Sequence, residues 1–180
     1  MKSKKAHISA KVIVVLLIIL CVSSAGINFY FHKNYKEAFA KDESYIEDGM
    51  SEAKTSKDKK YSYRINKDEN TIEIISYLMN DVESLEVPES IDGLIVTSLG
   101  EASFAYHEEL KCIKMPSTIN TMKMAVFGSC VNLEKVYFSE DVETIDDWAF
   151  GEFRGTVVTV KGYNLYNFAK NNGILVEDLK

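Results

Sequence analysis

The fold of this chain is decided by the stretch Leu110–Cys130, LKCIKMPSTINTMKMAVFGSC, because its apolar positions return 23 residues later in Leu133–Phe153, LEKVYFSEDVETIDDWAFGEF. A third copy lies upstream at Leu85–His107, LEVPESIDGLIVTSLGEASFAYH, and carries five extra residues around Ile91–Gly93. A fixed period of this size predicts a solenoid, in which one coil cannot bury its apolar face alone and stacks on its neighbours. Such an architecture favours a binding surface over an active site.

Each repeat contains two short runs with the pattern of a β-strand. The first run, Ile113–Met115, precedes Pro116, and proline ends a strand because it cannot donate to the ladder. The second run spans residues 119–122, and a turn then brings the chain around. We expect one aromatic side chain per coil to stack inside the solenoid, at Phe104, Phe127 and Phe150.

The two ends of the array carry different patterns. Alternating apolar residues at 61–65 and 72–74, separated by a turn cluster at 66–70, predict a hairpin that caps the N-terminal end. Residues 163–172 have a helical pattern closed by Gly173, and residues 174–176 predict a last strand. We interpret this helix and strand as the C-terminal cap.

These motifs resemble the BspA-type leucine-rich repeat family of bacterial surface proteins. The resemblance is carried by VPESIDG at 87–93, VTSLG at 96–100, SF at 103–104, AF at 149–150 and FAKNNGI at 168–174. It covers residues 61–180 with about three repeats, and it implies a mainly β, short right-handed leucine-rich-repeat solenoid with two short strands per coil. The copies depart from the family pattern at Ser139, where proline is expected, and at Lys123 and Asp146, where glycine is expected.

The sequence predicts three parts: an N-terminal signal-anchor or transmembrane segment at 1–32, a charged helical stalk at 33–60, and the repeat domain at 61–180. Residues 12–31 carry no charge, and 20 residues of helix at about 1.5 Å each would cross a hydrocarbon core of about 30 Å. Four lysines and no acidic residue precede this run, which predicts a single-pass protein with its N-terminus inside and its C-terminal domain extracellular.

Two alternatives remain open for the N-terminal parts. Small residues ending at Ala25 suit cleavage and secretion, but we favour the uncleaved anchor because the apolar run continues to Phe31. For residues 33–60 a stalk with a flexible break after Gly49 is favoured over a coiled coil, because Asp42 and Gly49 interrupt the apolar seam.

The net charge limits the classes of partner that the chain can bind, and the cysteine positions indicate whether a disulfide forms. Removing residues 1–32, with their four lysines, changes the formal net charge from −6 to −10. Such an acidic domain is a poor candidate for binding nucleic acid or anionic lipid headgroups, because phosphate would repel it, and we predict no nucleic-acid partner. Cys21 lies in the apolar run. Cys130 is expected to face the core, and we expect no bridge to Cys112 because the two side chains face opposite ways.

The sequence carries no signature of catalysis or of a cofactor. None of His7, His32 and His107 stands at metal-ligand spacing from a cysteine or carboxylate. No phosphate-binding loop, dinucleotide fingerprint or Gly-x-Ser-x-Gly string occurs. The acidic pairs 108–109 and 146–147 read as exposed turn residues, and a hydrolase at the second pair would also need an apolar pocket. We therefore predict that the chain is not an enzyme and that it binds no cofactor and no metal.

The remaining candidate is the outward face of the strands. Its predicted residues are Lys111, Cys112, Lys114, Glu134, Lys135, Tyr137, Thr159 and Lys161. The repeat places Lys114 beside Tyr137 and Lys111 beside Glu134, and we name Lys114, Lys135, Tyr137 and Trp148 as partner-binding candidates. The plainer interpretation is a solvated cross-strand ladder with Trp148 packed between coils.

Two functions from different classes follow. The first is a membrane-anchored, non-enzymatic surface module that binds a protein partner. The second is a secreted or wall-associated structural protein that binds a glycan or peptidoglycan, since aromatic side chains stack on sugars.

Overall fold

The computed structural model describes residues 52–66 and 70–180. The predicted membrane segment 1–32 and most of the predicted stalk therefore lie outside the described residues. Within the described ranges, no helix is long and apolar enough to cross a membrane.

The described chain folds into short strands and one helix, α1, at Asn164–Asn171. The strands are β1 (Lys54–Thr55), β2 (Tyr61–Ile65), β3 (Thr71–Tyr77), β4 (Ser84–Glu86), β5 (Ser90–Ile91), β6 (Leu94–Leu99), β7 (Cys112–Lys114), β8 (Thr121–Met122), β9 (Lys135–Tyr137), β10 (Thr144–Ile145), β11 (Thr156–Thr159) and β12 (Leu175–Asp178).

These strands form two sheets, and the chain alternates between them. The first sheet has the order β1-β2-β3-β6-β8-β10, with β5 added beside β6, and the second has the order β12-β11-β9-β7-β4. From β3 onward each strand of one sheet is followed by a strand of the other, apart from β5, and α1 takes the place of a first-sheet strand in the last passage. The result is a mainly β solenoid of about five turns, with two strands per coil as predicted.

The 23-residue period becomes the register of the stack. Ile113 pairs with Val136, and Met122 pairs with Ile145, so equivalent apolar residues lie directly beside one another. The final step in the second sheet is shorter, because Val136 pairs with Val157, 21 residues further on. The prediction of an outward Thr159 was wrong: Thr159 lies two residues after Val157 on β11, so both side chains point to the same side of the strand, and both are fully buried.

A continuous row of aromatic side chains fills the core. The ring centroids of Phe104 and Phe127 lie 6.2 Å apart, and those of Phe127 and Phe150 lie 5.8 Å apart. Tyr77 extends the row on the N-terminal side at 6.0 Å from Phe104, and Phe168 of α1 extends it on the other side at 6.3 Å from Phe150. The predicted phenylalanine stack is therefore confirmed. We call this row the aromatic ladder.

The N-terminal cap is the predicted hairpin with one additional strand. Strands β2 and β3 pair antiparallel, and β1 pairs with β2. Residues 67–69 of the predicted turn lie outside the described residues, but the N–H of Asn66 donates to the carbonyl of Thr71 at 2.9 Å across it. Since β1 falls inside the segment predicted as stalk, the ordered fold begins earlier than Tyr61.

The five extra residues of the first repeat hold this cap in place. Asp92 and Gly93 both have positive φ, of 54° and 88°, and join β5 to β6 in the two-residue turn that such backbones favour. The Asp92 carboxylate accepts the backbone N–H of Lys57 at 3.2 Å and the Tyr63 hydroxyl at 3.1 Å. The insertion therefore fastens the segment before β2 to the solenoid.

At the C-terminal end, α1 and β12 form the predicted cap. Asn172 is the C-cap of α1, and Gly173 follows it at C′ with φ of 71°, as expected for a glycine at that position. The side chain of Asp141 accepts the backbone N–H groups of Asn164 at 2.9 Å and Leu165 at 3.2 Å, so an acidic group from the preceding coil satisfies the first turn of the helix. Leu165 and Ala169 are the buried residues of α1.

Replacing Asp92 by asparagine should loosen the N-terminal segment without unfolding the repeats. Asparagine tolerates the positive φ of this turn but lacks the charge that strengthens the bonds to Lys57 and Tyr63. We expect amide hydrogen exchange at Lys57 to accelerate severalfold, measured by NMR, while exchange in β8 and β9 is unchanged. Equal protection of Lys57 in both proteins would show that Asp92 does not hold this segment.

Candidate functional site

The outward face of the second sheet brings together three of the four predicted site residues. Lys114 of β7 pairs with Tyr137 of β9, as predicted from the repeat, and Lys135 lies two residues before Tyr137 on the same strand. The backbone N–H of Glu134 donates to the carbonyl of Lys111 at 2.8 Å, which also agrees with the predicted neighbours.

The lysines of this face are held in ion pairs. Lys111 Nζ lies 3.0 Å from Glu83, Lys114 Nζ lies 2.8 Å from Glu86, and Lys135 Nζ lies 2.7 Å from Glu177. The hydrogen bonds to Glu86 and Glu177 raise the pKa of Lys114 and Lys135 above the ordinary lysine value. All these side chains remain well exposed, so each pair stabilises the sheet only slightly. A partner that used these lysines would first have to displace an existing carboxylate.

Trp148 lies apart from those three residues, on the turn between β10 and β11. Its side chain is 69% exposed, and its backbone N–H donates to the Asp146 carboxylate at 2.9 Å. It lines a hollow of about 510 Å³ together with Phe153, Phe168 and Leu175. This aromatic-walled hollow lies at the C-terminal end of the stack, between the turn of the fourth coil, the end of α1 and the start of β12.

The hollow exists because the last coil omits a segment that earlier coils possess. Between the first-sheet strand and the second-sheet strand, the chain runs through long turns at 100–111, 123–134 and 146–155, whereas only residues 172–174 join α1 to β12. The long turns stack on one another through backbone hydrogen bonds, such as Phe104 N–H to Val126 at 2.9 Å and Ala125 N–H to Trp148 at 2.9 Å. With no fourth long turn, this layer ends at Trp148.

A second hollow adjoins the first. It has a volume of about 440 Å³ and is lined by Val131 and Glu134, among others, and it shares Arg154 and Gly155 with the first. We call the two hollows together the terminal groove. Val131, Trp148 and Leu175, at 72%, 69% and 65% exposure, are the most exposed large apolar side chains in the described part of the chain, and all three line this groove.

The predicted acidic and histidine candidates have structural roles. Asp146 caps the turn at Trp148, Asp147 lines the terminal groove, and Glu108 and Glu109 are exposed turn residues. His107 is buried, with its ring 5.2 Å from that of Tyr77. Across residues 52–66 and 70–180, no three His, Cys, Asp or Glu side chains group as ligands for a metal ion.

Of the residues that line the terminal groove, the sequence pointed to Trp148, Asp147, Lys111 and Glu134, but not to a single site that contains them. Arg154, Leu175 and Val131 were missed because no chemical motif marks them, although Arg154 follows Val131 by one period of 23 residues. Two features of the sequence could have indicated a change of geometry here: Gly155, and the step of 21 rather than 23 residues between equivalent positions of β9 and β11. A Cβ at Gly155 would clash with the carbonyl of Leu133 and lie 2.6 Å from that of Glu134, so glycine allows the close approach of these coils.

Neither described cysteine forms a disulfide, as predicted. Cys112 is half-buried on the outward face, whereas Cys130 is buried and its thiol donates to the carbonyl of Phe104 at 2.9 Å. Burial raises the pKa of the Cys130 thiol to about 11. Since the thiolate is the reactive form, Cys130 is a core residue rather than a nucleophile.

Cys130 should resist alkylation in the native protein at pH 8. A thiol with a pKa of about 11 is only about 0.1% thiolate at that pH, and burial blocks access as well. Iodoacetamide labelling followed by peptide mass mapping should show Cys130 modified at least about 100-fold more slowly than Cys112. Both should react alike in 6 M guanidinium, the control, and equal native rates would contradict the burial of Cys130.

The same shift gives a pH dependence of stability. The folded-state pKa is raised above the unfolded value of about 8.5, so the unfolded state releases the proton first. The contribution of Cys130 is therefore complete below about pH 8.5 and is lost as the pH rises towards 11.

Comparison with known families identifies the repeats. The sequence model of the BspA type leucine rich repeat region matches residues 59–168 in six copies. The earlier count of about three repeats was too low, because the match extends on both sides of the three regular copies. A search of curated proteins and a search of solved structures each gave no match. The matched region is more than half of the chain, and the chain therefore belongs to the BspA-type leucine-rich repeat family.

Proposed function

We propose that this chain is a non-enzymatic interaction module of the bacterial cell surface, and that it binds a protein partner through the terminal groove with Trp148 as its anchor. The observation that carries this proposal is the convergence of the three most exposed apolar side chains on one groove. Binding energy in protein interfaces is concentrated in a few large apolar, tryptophan or arginine side chains near the centre of the contact. Trp148 and Arg154 both line the first hollow of this groove.

Family membership supports the class of function. Leucine-rich repeat regions are in general non-enzymatic and suggest a protein-interaction module. The outward face of the second sheet is the weaker candidate, because Lys114 and Lys135 already have carboxylate partners. Tyr137 is half-buried there and offers less surface to a partner than Trp148.

The proposal includes membrane anchoring through residues 1–32. It is supported by the uncharged run at 12–31 and by the four lysines before it. In this arrangement residues 33–51 hold the repeat domain away from the membrane, with the N-terminus inside the cell and the groove outside.

Intact mass and fractionation of the mature protein test this anchoring. We expect the chain to sediment with membranes, to resist carbonate extraction and to retain its N-terminal lysines, because an uncleaved apolar helix stays in the bilayer. A soluble species beginning at Gly26 would instead show cleavage after Ala25 and a secreted protein.

Replacing Trp148 by alanine tests the binding site. We expect surface cross-linking in the host to capture a protein partner with the native chain and about 30-fold less with Trp148→Ala, since hot-spot tryptophans contribute about 2 kcal/mol or more. The variant should fold normally because this side chain is largely exposed.

Tyr137→Ala is the matched aromatic control, because it removes a ring from the outward face and not from the groove. Loss of the partner with Tyr137→Ala alone would move the site to the second sheet. If retention on purified cell wall depends on Trp148 and no protein is captured, the glycan-binding alternative replaces the protein partner.

A further inference from the structure

We propose that the partner segment bound in the terminal groove is an acidic apolar peptide: a carboxylate of the segment pairs with Arg154, and a neighbouring aromatic or large aliphatic side chain packs against Trp148 and Leu175. This inference rests on the proposed function, because it specifies the chemistry of the same site. It follows from the charge of the groove and from the shape left by the missing turn.

The charge argument begins with the position of Arg154. Arg154 lines both hollows, so it lies where the two parts of the terminal groove meet. Four lysines of the described chain have a carboxylate partner within 4.0 Å: Lys111, Lys114, Lys123 and Lys135. Arg154, which lines both hollows, forms no side-chain ion pair or hydrogen bond of this kind with the described residues.

The described acidic side chains around the groove do not pair with Arg154. Asp147 lines the first hollow and Glu134 lines the second, but neither is within ion-pair distance of the Arg154 guanidinium in the described structure. A guanidinium presents paired N–H donors that match a carboxylate in two parallel hydrogen bonds. A carboxylate of the partner is therefore the group that this position fits.

The apolar part of the segment follows from the stacking of the long turns. In each earlier coil, a turn lays an aromatic side chain on the next: Phe127 lies 5.8 Å from Phe150 and 6.0 Å from Phe153. Phe168 covers Phe150, but no fourth long turn follows the turn at 146–155, so Trp148 and Phe153 still border an open hollow. A partner segment that carries an aromatic or large aliphatic side chain continues this layer in place of the missing turn.

Selection from a library of phage-displayed 12-residue peptides tests the inference. The target is the full-length chain in detergent micelles, biotinylated and immobilised. We expect enriched peptides to share an Asp or Glu within three residues of an aromatic or large aliphatic residue, and to compete with one another for one site. Enrichment of peptides without an acidic residue, or no enrichment, would overturn the inference.

Four variants then assign the contacts with one synthetic peptide from the selection. Arg154→Gln should weaken binding roughly tenfold and Arg154→Glu more, because the second adds repulsion. Lys54→Gln, at the opposite end of the stack, is the charge-matched control and should bind as the native chain does. Trp148→Ala should weaken binding roughly 30-fold.

A complementary charge swap separates this inference from the proposed function. If the carboxylate contacts Arg154, a peptide with lysine in place of its acidic residue should bind poorly to the native chain and regain affinity for Arg154→Glu. If binding depends on Trp148 but not on the charge at 154, the acidic chemistry is wrong and the groove remains the site. If neither variant affects binding, both proposals fail.

Discussion

The structure depends on one constraint: no coil of this chain can bury its own apolar face. Each coil contributes two strands of two to seven residues, too short to be stable alone, and a ring that is buried only by the rings before and after it. Deleting a phenylalanine from such a position costs about 3–5 kcal/mol, against a total stability of about 5–15 kcal/mol for a typical domain. The aromatic ladder therefore decides whether the stack exists, and every other feature follows from how the stack begins and ends.

The two ends meet this constraint differently. At the N-terminal end, Tyr77 closes the ladder, an antiparallel hairpin covers the first sheet, and Asp92 fastens the preceding segment to it. At the C-terminal end, α1 covers the ladder through Phe168 but joins β12 without a long turn. The aromatic core is therefore covered by α1, whereas the last long turn, at 146–155, has no further turn stacked on it. The terminal groove is the surface that this incomplete cap leaves, and its exposed apolar side chains explain why it suits a partner.

The sequence was sufficient wherever the repeat applied. A period of 23 predicted two strands per coil, the pairing of Lys114 with Tyr137 and the stacking of the phenylalanines, because equivalent positions of a solenoid must become neighbours. It failed where the period breaks. At β11 the step shortens to 21 residues and Thr159, predicted to face outward, is buried, and β1 pairs with β2 inside the predicted stalk. Trp148 stood out as a large aromatic residue on a turn, but the open hollow beside it depends on the short connection between α1 and β12, which no local pattern reveals.

Among the described residues, some cationic side chains on the surface already have a carboxylate partner, and Arg154 in the terminal groove does not. The outward lysines of the second sheet neutralise glutamates of neighbouring coils, so that face is a stabilising ladder with little left for a partner. Arg154 has no such carboxylate partner among the described residues, and it lies in a domain whose net charge, without residues 1–32, is −10. At physiological salt the repulsion from that charge fades beyond about 8 Å, whereas a carboxylate on Arg154 acts at contact distance. A partner that is neutral or basic overall and carries one acidic apolar segment fits the negative charge of the domain and the position of Arg154. Its net charge permits approach to the domain, and its acidic segment provides the specific contact with Arg154.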